Sequence, residues 1–396
     1  MPEVDLLEAA SRIRAAPSLL QLSIFSQNCD LPRNFLSDGA PLLSEAILDS
    51  CGLACDSPLL HSLTSLELLG GVDRSVMEAR LPDALRNMPL LETLAVDQVY
   101  CDAPAEPIVV PLPKLRRLQL QATHPLAITI FDYITFPAST FVMIEIYGQS
   151  FPADTPFEDF GTFWRGIARI LSPEFHSDSQ RIVKTLAVDG DNGYRGLSFT
   201  LRAWHDNLPF DSILDQSPLS SPDLTINVGW SNHHRTPDNF GDPEFFEMVF
   251  LAAFGALHLP ALETLHLGAF PKSIGIEIQV ILMPHLWTCP LRTLILHVER
   301  CALYLPELLV LQQDNSSLSV PSLETLVFTH CNWDHELARE LLSSLRARAM
   351  RGSKLQKIVM RACTNNVEVD LRSFQDVAKE VDWDSANTES IRYARH

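Results

Sequence analysis

One phrase returns along this chain almost letter for letter, and it limits the fold more than any other feature. Pro89-Leu90-Leu91-Glu92-Thr93-Leu94 recurs as Pro260-Ala261-Leu262-Glu263-Thr264-Leu265 and again as Pro321-Ser322-Leu323-Glu324-Thr325-Leu326. Looser copies open at Pro17 and Pro113. Each copy continues with one free residue and a further apolar one, so the shared frame is L-x-x-L-x-L. Its last two apolar positions are Leu22/Ile24, Ala46/Leu48, Leu66/Leu68, Leu94/Val96, Leu118/Leu120 and Ile144/Ile146. Leu186/Val188, Leu265/Leu267, Leu294/Leu296, Leu326/Phe328 and Ile358/Met360 complete the series. Neighbouring copies lie mostly 20 to 32 residues apart, a spacing that overlaps leucine-rich repeats and runs somewhat long.

The physics of the frame predicts its structure. Residues two apart on a strand point to one side, so each L-x-L pair faces a common interior. A single repeat cannot cover that face. Stacked neighbours bury it continuously, at roughly 1.5–3 kcal/mol per large apolar side chain. Parallel strands need crossovers, and helical patterns fall between the copies. The clearest runs from Asp334 to Gly352, with Leu337, Leu341 and Leu345 four apart, Asn332 or Asp334 as its cap, and Gly352 as its stop. Val76 to Met88, Phe245 to Leu257 and Leu305 to Gln312 read as further crossovers. The predicted fold class is α/β: a leucine-rich-repeat solenoid, or horseshoe, with parallel strands on the concave side and helices on the convex side.

One repeat domain is expected over residues 1–396, with regular repeats in 1–147 and 241–370 and a tail in 371–396. Residues 148–240 read as irregular long repeats with extra strands at Leu197–Leu201 and Leu224–Val228 and a helix at Phe163–Leu171. Cys51, Cys331 and Cys363 each fall three residues past the last apolar position of their copy, where the longer repeat consensus carries Asn or Cys. A small buried residue with a weak donor suits that bend.

The repeats resemble those of mushroom-type fungal F-box/leucine-rich-repeat proteins. The likeness rests on Pro321-Ser322-Leu323-Glu324-Thr325-Leu326, on Cys289-Pro290-Leu291-Arg292-Thr293-Leu294 and on Val381-Asp382-Trp383-Asp384. It implies an intracellular substrate-recognition module of a ubiquitin ligase, in which an F-box docks the Skp adaptor of a cullin and the repeats hold the substrate. This chain departs from that pattern. Its nearest matches to an F-box opening, Leu31-Pro32-Arg33-Asn34 and Leu81-Pro82-Asp83-Ala84, lie between repeat strands. The Skp adaptor and cullin are therefore expected partners only if an F-box exists outside this chain. A ligase-independent scaffold or inhibitor, and more remotely a hydrolase, are the other readings.

Charge narrows the partner. The net charge of −19 opposes nucleic acid and anionic membrane surfaces, so a protein partner is expected. The opening Met1-Pro2-Glu3-Val4-Asp5 is not a signal peptide, and the longest apolar stretch, Met248–Leu259, is too short to span a bilayer. A cytoplasmic or nuclear location follows. No cofactor or metal is expected. Cys51 and Cys55 lack a second pair, His233 and His234 diverge on a loop, and His335-Glu336 meets Arg339 where a zincin needs histidine. Gly190–Gly196 reads as a turn, since it lacks the Lys-Ser/Thr ending of a phosphate loop. The basic run Arg346, Arg348, Arg351, Lys354 and Lys357 reads as the charged outer face of a crossover helix.

Residues between and just after the buried pair must point away from the core. They give a candidate protein-binding face of Glu67, Asp97, Gln119, Gln121, Glu145, Tyr147, Asp189, His266, Ile295, His297, Val327, Thr329, Val359 and Arg361. Within it Ile295, Val327 and Val359 form an apolar row, expected either to meet a partner or to be covered by Phe374–Trp383. The intracellular assignment also fixes the redox state. Thiol titration under denaturing, non-reducing conditions is expected to find all eight cysteines free, and a persistent disulfide would contradict it.

Overall fold

The computed structural model describes residues 8, 10–70, 80–97, 109–122, 130–148, 164–170, 182–193, 196–214, 221–230, 253–254, 257, 259–268, 289–297, 320–333, 335–365 and 372–383. The chain forms two compact units, Met1–Arg181 with Asp223–Ser231, and Ile182–Pro222 with Asn232–His396. Both are mixed α/β, and their strands belong to one 14-stranded, mostly parallel sheet.

In the first unit the repeat frame supplies β1 (Gln21–Asp30), β2 (Glu45–Gly52), β3 (Ser65–Leu69), β4 (Thr93–Asp97), β5 (Arg117–Ala122) and β6 (Phe141–Gly148). All pair in parallel, in sequence order. The chain then contributes β7 (Thr185–Gly193) and β8 (Gly196–Trp204) to the second unit as an antiparallel hairpin. Next comes β9 (Leu224–Trp230), which pairs in parallel with β6 of the first unit. The second unit continues from β7 through β10 (Thr264–Leu267), β11 (Thr293–His297), β12 (Thr325–Thr329), β13 (Leu355–Arg361) and β14 (Ala378–Trp383), each parallel to its predecessor. The irregular middle is thus shared between the units: its helical run at 164–170 and β9 go to one, its hairpin to the other.

The frame places the core. Except for Leu22 and Ile24 on the first strand, which are half-buried, every L-x-L pair named above is buried. Equivalent residues stand directly opposite one another: Leu66 pairs with Leu94 and Leu94 with Leu118, and Leu265 pairs with Leu294 and Leu294 with Leu326. In four copies the leading leucine is buried too, and its N–H bonds back three residues. Leu91 donates to Met88, Leu115 to Leu112, Leu262 to Leu259 and Leu323 to Val320. At most strand starts one carbonyl accepts two N–H groups of the next copy. Glu92 accepts from Arg116 and Arg117, Glu263 from Arg292 and Thr293, and Glu324 from Gln356 and Lys357. The recurring letters therefore carry a recurring hydrogen-bond pattern.

The bend after the strand repeats as well. Ser50, His330 and Ala362 all adopt left-handed φ, at 52°, 55° and 49°. Each immediately precedes one of the three cysteines singled out by the frame. Such a conformation disfavours residues with a Cβ, so its recurrence in three copies marks a shared turn. Two of these cysteines close that turn onto the previous strand: Cys51 Sγ lies 3.6 Å from the Ile24 carbonyl oxygen and Cys363 Sγ 3.5 Å from that of Phe328.

One register differs from the sequence reading. Leu118 and Leu120 pair with Val142 and Ile144, not with Ile144 and Ile146. Val142, Ile144 and Ile146 alternate at period two, so a slip of two residues leaves every side chain on its own face and is invisible to the pattern.

Among the described residues the long crossover helix is His335–Met350, as the spacing predicts, and Gly352 ends it at φ 82°. Arg348 on this helix is buried and donates Nη2 to the carbonyls of Pro321 and Leu323, so the helix is anchored on the repeat bend. Within Val76–Met88 the described part holds the short helix Leu81–Leu85. The Leu305–Gln312 crossover and most of Phe245–Leu257 lie outside the described residues. No helix among the described residues is long and apolar enough to cross a membrane. Replacing Leu265, fully buried in β10, by alanine is expected to destabilise by roughly 2–5 kcal/mol in urea unfolding. A loss below about 0.5 kcal/mol, the range of surface sites, would contradict its place in the core.

Candidate functional site

The outward strand positions of the two units differ in chemistry and in cover. In the first unit Ile47, Glu67, Ala95, Gln119, Met143 and Thr225 stand in register as one row, and Asp49, Leu69, Asp97, Gln121, Glu145 and Asn227 as the next. All are half-exposed. Glu67, Asp97, Gln119, Gln121 and Glu145 therefore share one open face, as the frame predicts. Tyr147 pairs through its backbone with Gly229, and its side chain lies outside the described residues.

Neither row contains a lysine or arginine, so the carboxylates act on one another. Partial burial raises the Asp97 carboxyl above its usual range, and Asp49, Glu145 and Glu67 push it further up. Asp97 Oδ1 is buried without a hydrogen-bond partner among the described residues. Asn227 Nδ2 donates to Glu145 Oε1 at 3.3 Å. The surface is a field of hydrogen-bond acceptors with like charges close together, a surface suited to cationic side chains.

In the second unit Ala187, His266, Ile295, Val327, Val359 and Asp382 form the corresponding row. Here the structure departs from both alternatives, a row open to a partner and a row covered by Phe374–Trp383. Ile295, Val327 and Val359 are fully buried, and His266 and Thr329 nearly so. The cover is not Phe374–Trp383. It is the segment after β8, whose Ile213 packs with the three aliphatic residues and whose Leu208 and Phe210 close over them. Phe374 instead packs edge-on against Trp333, with ring centroids 5.9 Å apart, and Ala378–Trp383 extends the sheet as β14. Side-chain alternation identifies the face a residue occupies but not the distant segment that lies on it.

The remaining predicted residues of this unit form a polar margin. Asp189 pairs with Arg202 at 2.5 Å. Gly268 permits that pair, because a Cβ there would come within 1.6 Å of Asp189 Oδ1. His297 lies 4.7 Å, centroid to centroid, from the His330 ring, and its Nδ1 is 3.1 Å from Thr329 Oγ1. Arg361 is held by Asp382 through two bonds of 3.1 and 2.8 Å, which keeps the Asp382 carboxyl low. The five basic residues of 346–357 are divided between settings. Arg348 is buried, Arg346 faces Asp376, and Lys357 pairs with Glu380.

Sequence reasoning missed one cavity. A hollow of about 550 Å³ in the first unit is lined by Asp30, Leu31, Arg33, Cys55, Arg80 and Asp83 among others. Both Leu-Pro phrases noted above contribute to it, and Arg80 is tied to Asp83 at 2.6 Å. Burial raises the Cys55 thiol, which weakens it as a nucleophile. No group of three His, Cys, Asp or Glu among the described residues is arranged to hold a metal ion. No family model matches this chain, and no curated protein matches it.

His266 makes the most specific electrostatic statement of the site. Both ring nitrogens are buried without a partner among the described residues. Burial lowers its pKa to about 4, Arg202 and His297 pushing the same way and Asp189 opposing them. The unfolded value is 6.5, so the neutral ring is favoured in the fold. The stability it carries is complete above pH 6.5 and is lost as pH falls through 4, on the order of 3 kcal/mol in all. His266→Leu is expected to flatten urea-unfolding stability over that window, and a variant curve parallel to wild type would contradict the assignment.

Proposed function

We propose that the chain is a non-catalytic, protein-binding leucine-rich-repeat solenoid of the cell interior, and that the open face of its first unit is the contact surface. The observation that carries this reading is the two in-register rows around Glu67, Asp97, Gln119, Gln121 and Glu145, half-exposed and without a basic residue. Such a surface is built for hydrogen bonds and ion pairs across an interface and offers no nucleophile–base pair. Its like charges are left to be neutralised by a partner's lysines and arginines, which gives orientation and association rate. The solenoid reading rests on the repeated hydrogen-bond pattern and the repeated left-handed bend. It puts the strands on the concave side and the crossovers outside.

The resemblance to F-box/leucine-rich-repeat proteins extends the proposal to substrate recognition for a ubiquitin ligase, with the adaptor-binding box supplied outside this chain. The test is affinity capture with the full chain against the double variant Asp97→Lys/Glu145→Lys, both checked for folding by circular dichroism. A partner retained by the wild type is expected to fall about tenfold or more with the folded variant and to weaken with added salt. Equal recovery would overturn the surface assignment. Skp adaptor and cullin recovered alongside support the ligase reading, and a partner recovered without them assigns a ligase-independent scaffold.

A further inference from the structure

The first strand leaves one side of its backbone open. β1 stands at one end of the sheet, and among the described residues it pairs only with β2. β2 sends the Glu45 N–H to the Leu20 carbonyl. Backbone groups of successive strand residues point to opposite sides. Leu20, Leu22 and Ile24 therefore serve β2, and Gln21, Ser23 and Phe25 turn their N–H and C=O groups to the free edge. Apolar side chains gather at the same place. Leu20 is 58% and Phe25 65% exposed, Ile13 and Leu42 beside them are exposed too, and Leu22/Ile24 is the one repeat pair left half-buried. Charged side chains on an edge strand oppose pairing with another chain. β14, at the other end of the sheet order, carries Lys379, Glu380 and Asp382. From Gln21 to Asn28 there is no charged residue, and the neighbouring Glu45 carboxylate is bonded by the Gln21 amide at 2.6 Å.

We propose that the outer edge of β1 is a self-association surface, on which a second copy of this chain seats its own β1. Two copies that meet through one patch do so about a twofold axis, which makes the new strand pair antiparallel. Side chains directly opposite one another must share a face. Pairing centred on Ser23 meets that condition. It sets Leu22 opposite Ile24 of the second copy and Ile24 opposite its Leu22, so each half-buried pair gains the neighbour that every inner pair already has. Gln21 then stands opposite Phe25, and the outward N–H and C=O of Ser23 exchange two hydrogen bonds with those of the other Ser23. The charge argues for this occupant as well. Chains of net charge −19 repel one another over most of their surface, and here the facing strands carry no charge. With the opposite edge blunted by lysine and carboxylates, the assembly closes at two copies.

The test is sedimentation equilibrium of the full chain over a concentration series, with hydrogen exchange of Gln21–Phe25 followed in the same samples by mass spectrometry. The wild type is expected to pass from one chain to two, and the exchange to slow as it does. Ser23→Lys sets two lysines opposite each other, with Cα atoms about 5.5 Å apart, and should weaken the pairing about tenfold. Ser23 is exposed and its N–H faces away from β2, so the variant leaves the β1–β2 ladder intact, as circular dichroism will check. Ser23→Pro removes the N–H that the pairing needs. It should act in the same way, and it serves if the lysine variant fails to fold. A wild type that stays monomeric at about 100 µM overturns the proposal. Exchange already slow in that monomer would name a segment of the chain itself as the occupant of the edge. A dimer that forms equally well in the folded variants lies elsewhere and overturns it too. No outside partner enters these readouts, so failure here is distinct from failure of the acidic surface.

Discussion

Everything in this structure depends on the in-register stacking of paired aliphatic side chains on parallel strands. Inner L-x-L pairs are covered on both sides by their neighbours' pairs, as at Leu66/Leu94/Leu118 and Leu265/Leu294/Leu326. No single repeat buries enough apolar surface to fold by itself, so the repeats stabilise one another. The hydrogen bonds at the bends follow the same logic. A carbonyl at most strand starts receives two N–H groups of the next copy, and Cys51 and Cys363, each after its strand, reach a carbonyl of the preceding one. These contacts fix the spacing of copies and therefore the rows of side chains that face outward.

With the core fixed by alternation, the outward face is free to differ, and the two units use it differently. The first leaves it open and acidic, at the cost of crowding Asp97 among like charges. The second places an apolar row there, buries it under a segment from its own hairpin extension, and leaves His266 as an uncharged polar ring within it. Charged residues at the margin are consumed locally, Asp189 with Arg202 and Arg361 with Asp382. The same strand scaffold thus presents one half-exposed acidic surface and one covered by the chain itself.

The amount legible in the sequence follows from the range of the interactions involved. Which residues of each strand face the repeat core was readable, because period-two alternation is a local property. So were the helix at His335–Met350 and the cysteines' place in the bend. The sliding of Val142, Ile144 and Ile146 by two residues was not, since both registers bury the same face. Nor was the cover over Ile295, Val327 and Val359, because it comes from residues about 80 to 150 positions away and carries no repeat signature. The hollow beside Cys55 escaped for the same reason, being assembled from three segments separated along the chain.

Strand order and register are the central claim, and a distance across one intervening strand tests them most directly. Glu67 and Gln119 both face outward and both pair with Ala95 between them, so their backbones stand about 10 Å apart, two parallel strand spacings. Ketone-directed spin labels at these two positions leave the native thiols untouched. The frozen double-labelled protein is expected to show strong dipolar broadening relative to the sum of the single-labelled spectra. A spectrum equal to that sum would mean that the copies do not stack in order, and would contradict the account from the core outward.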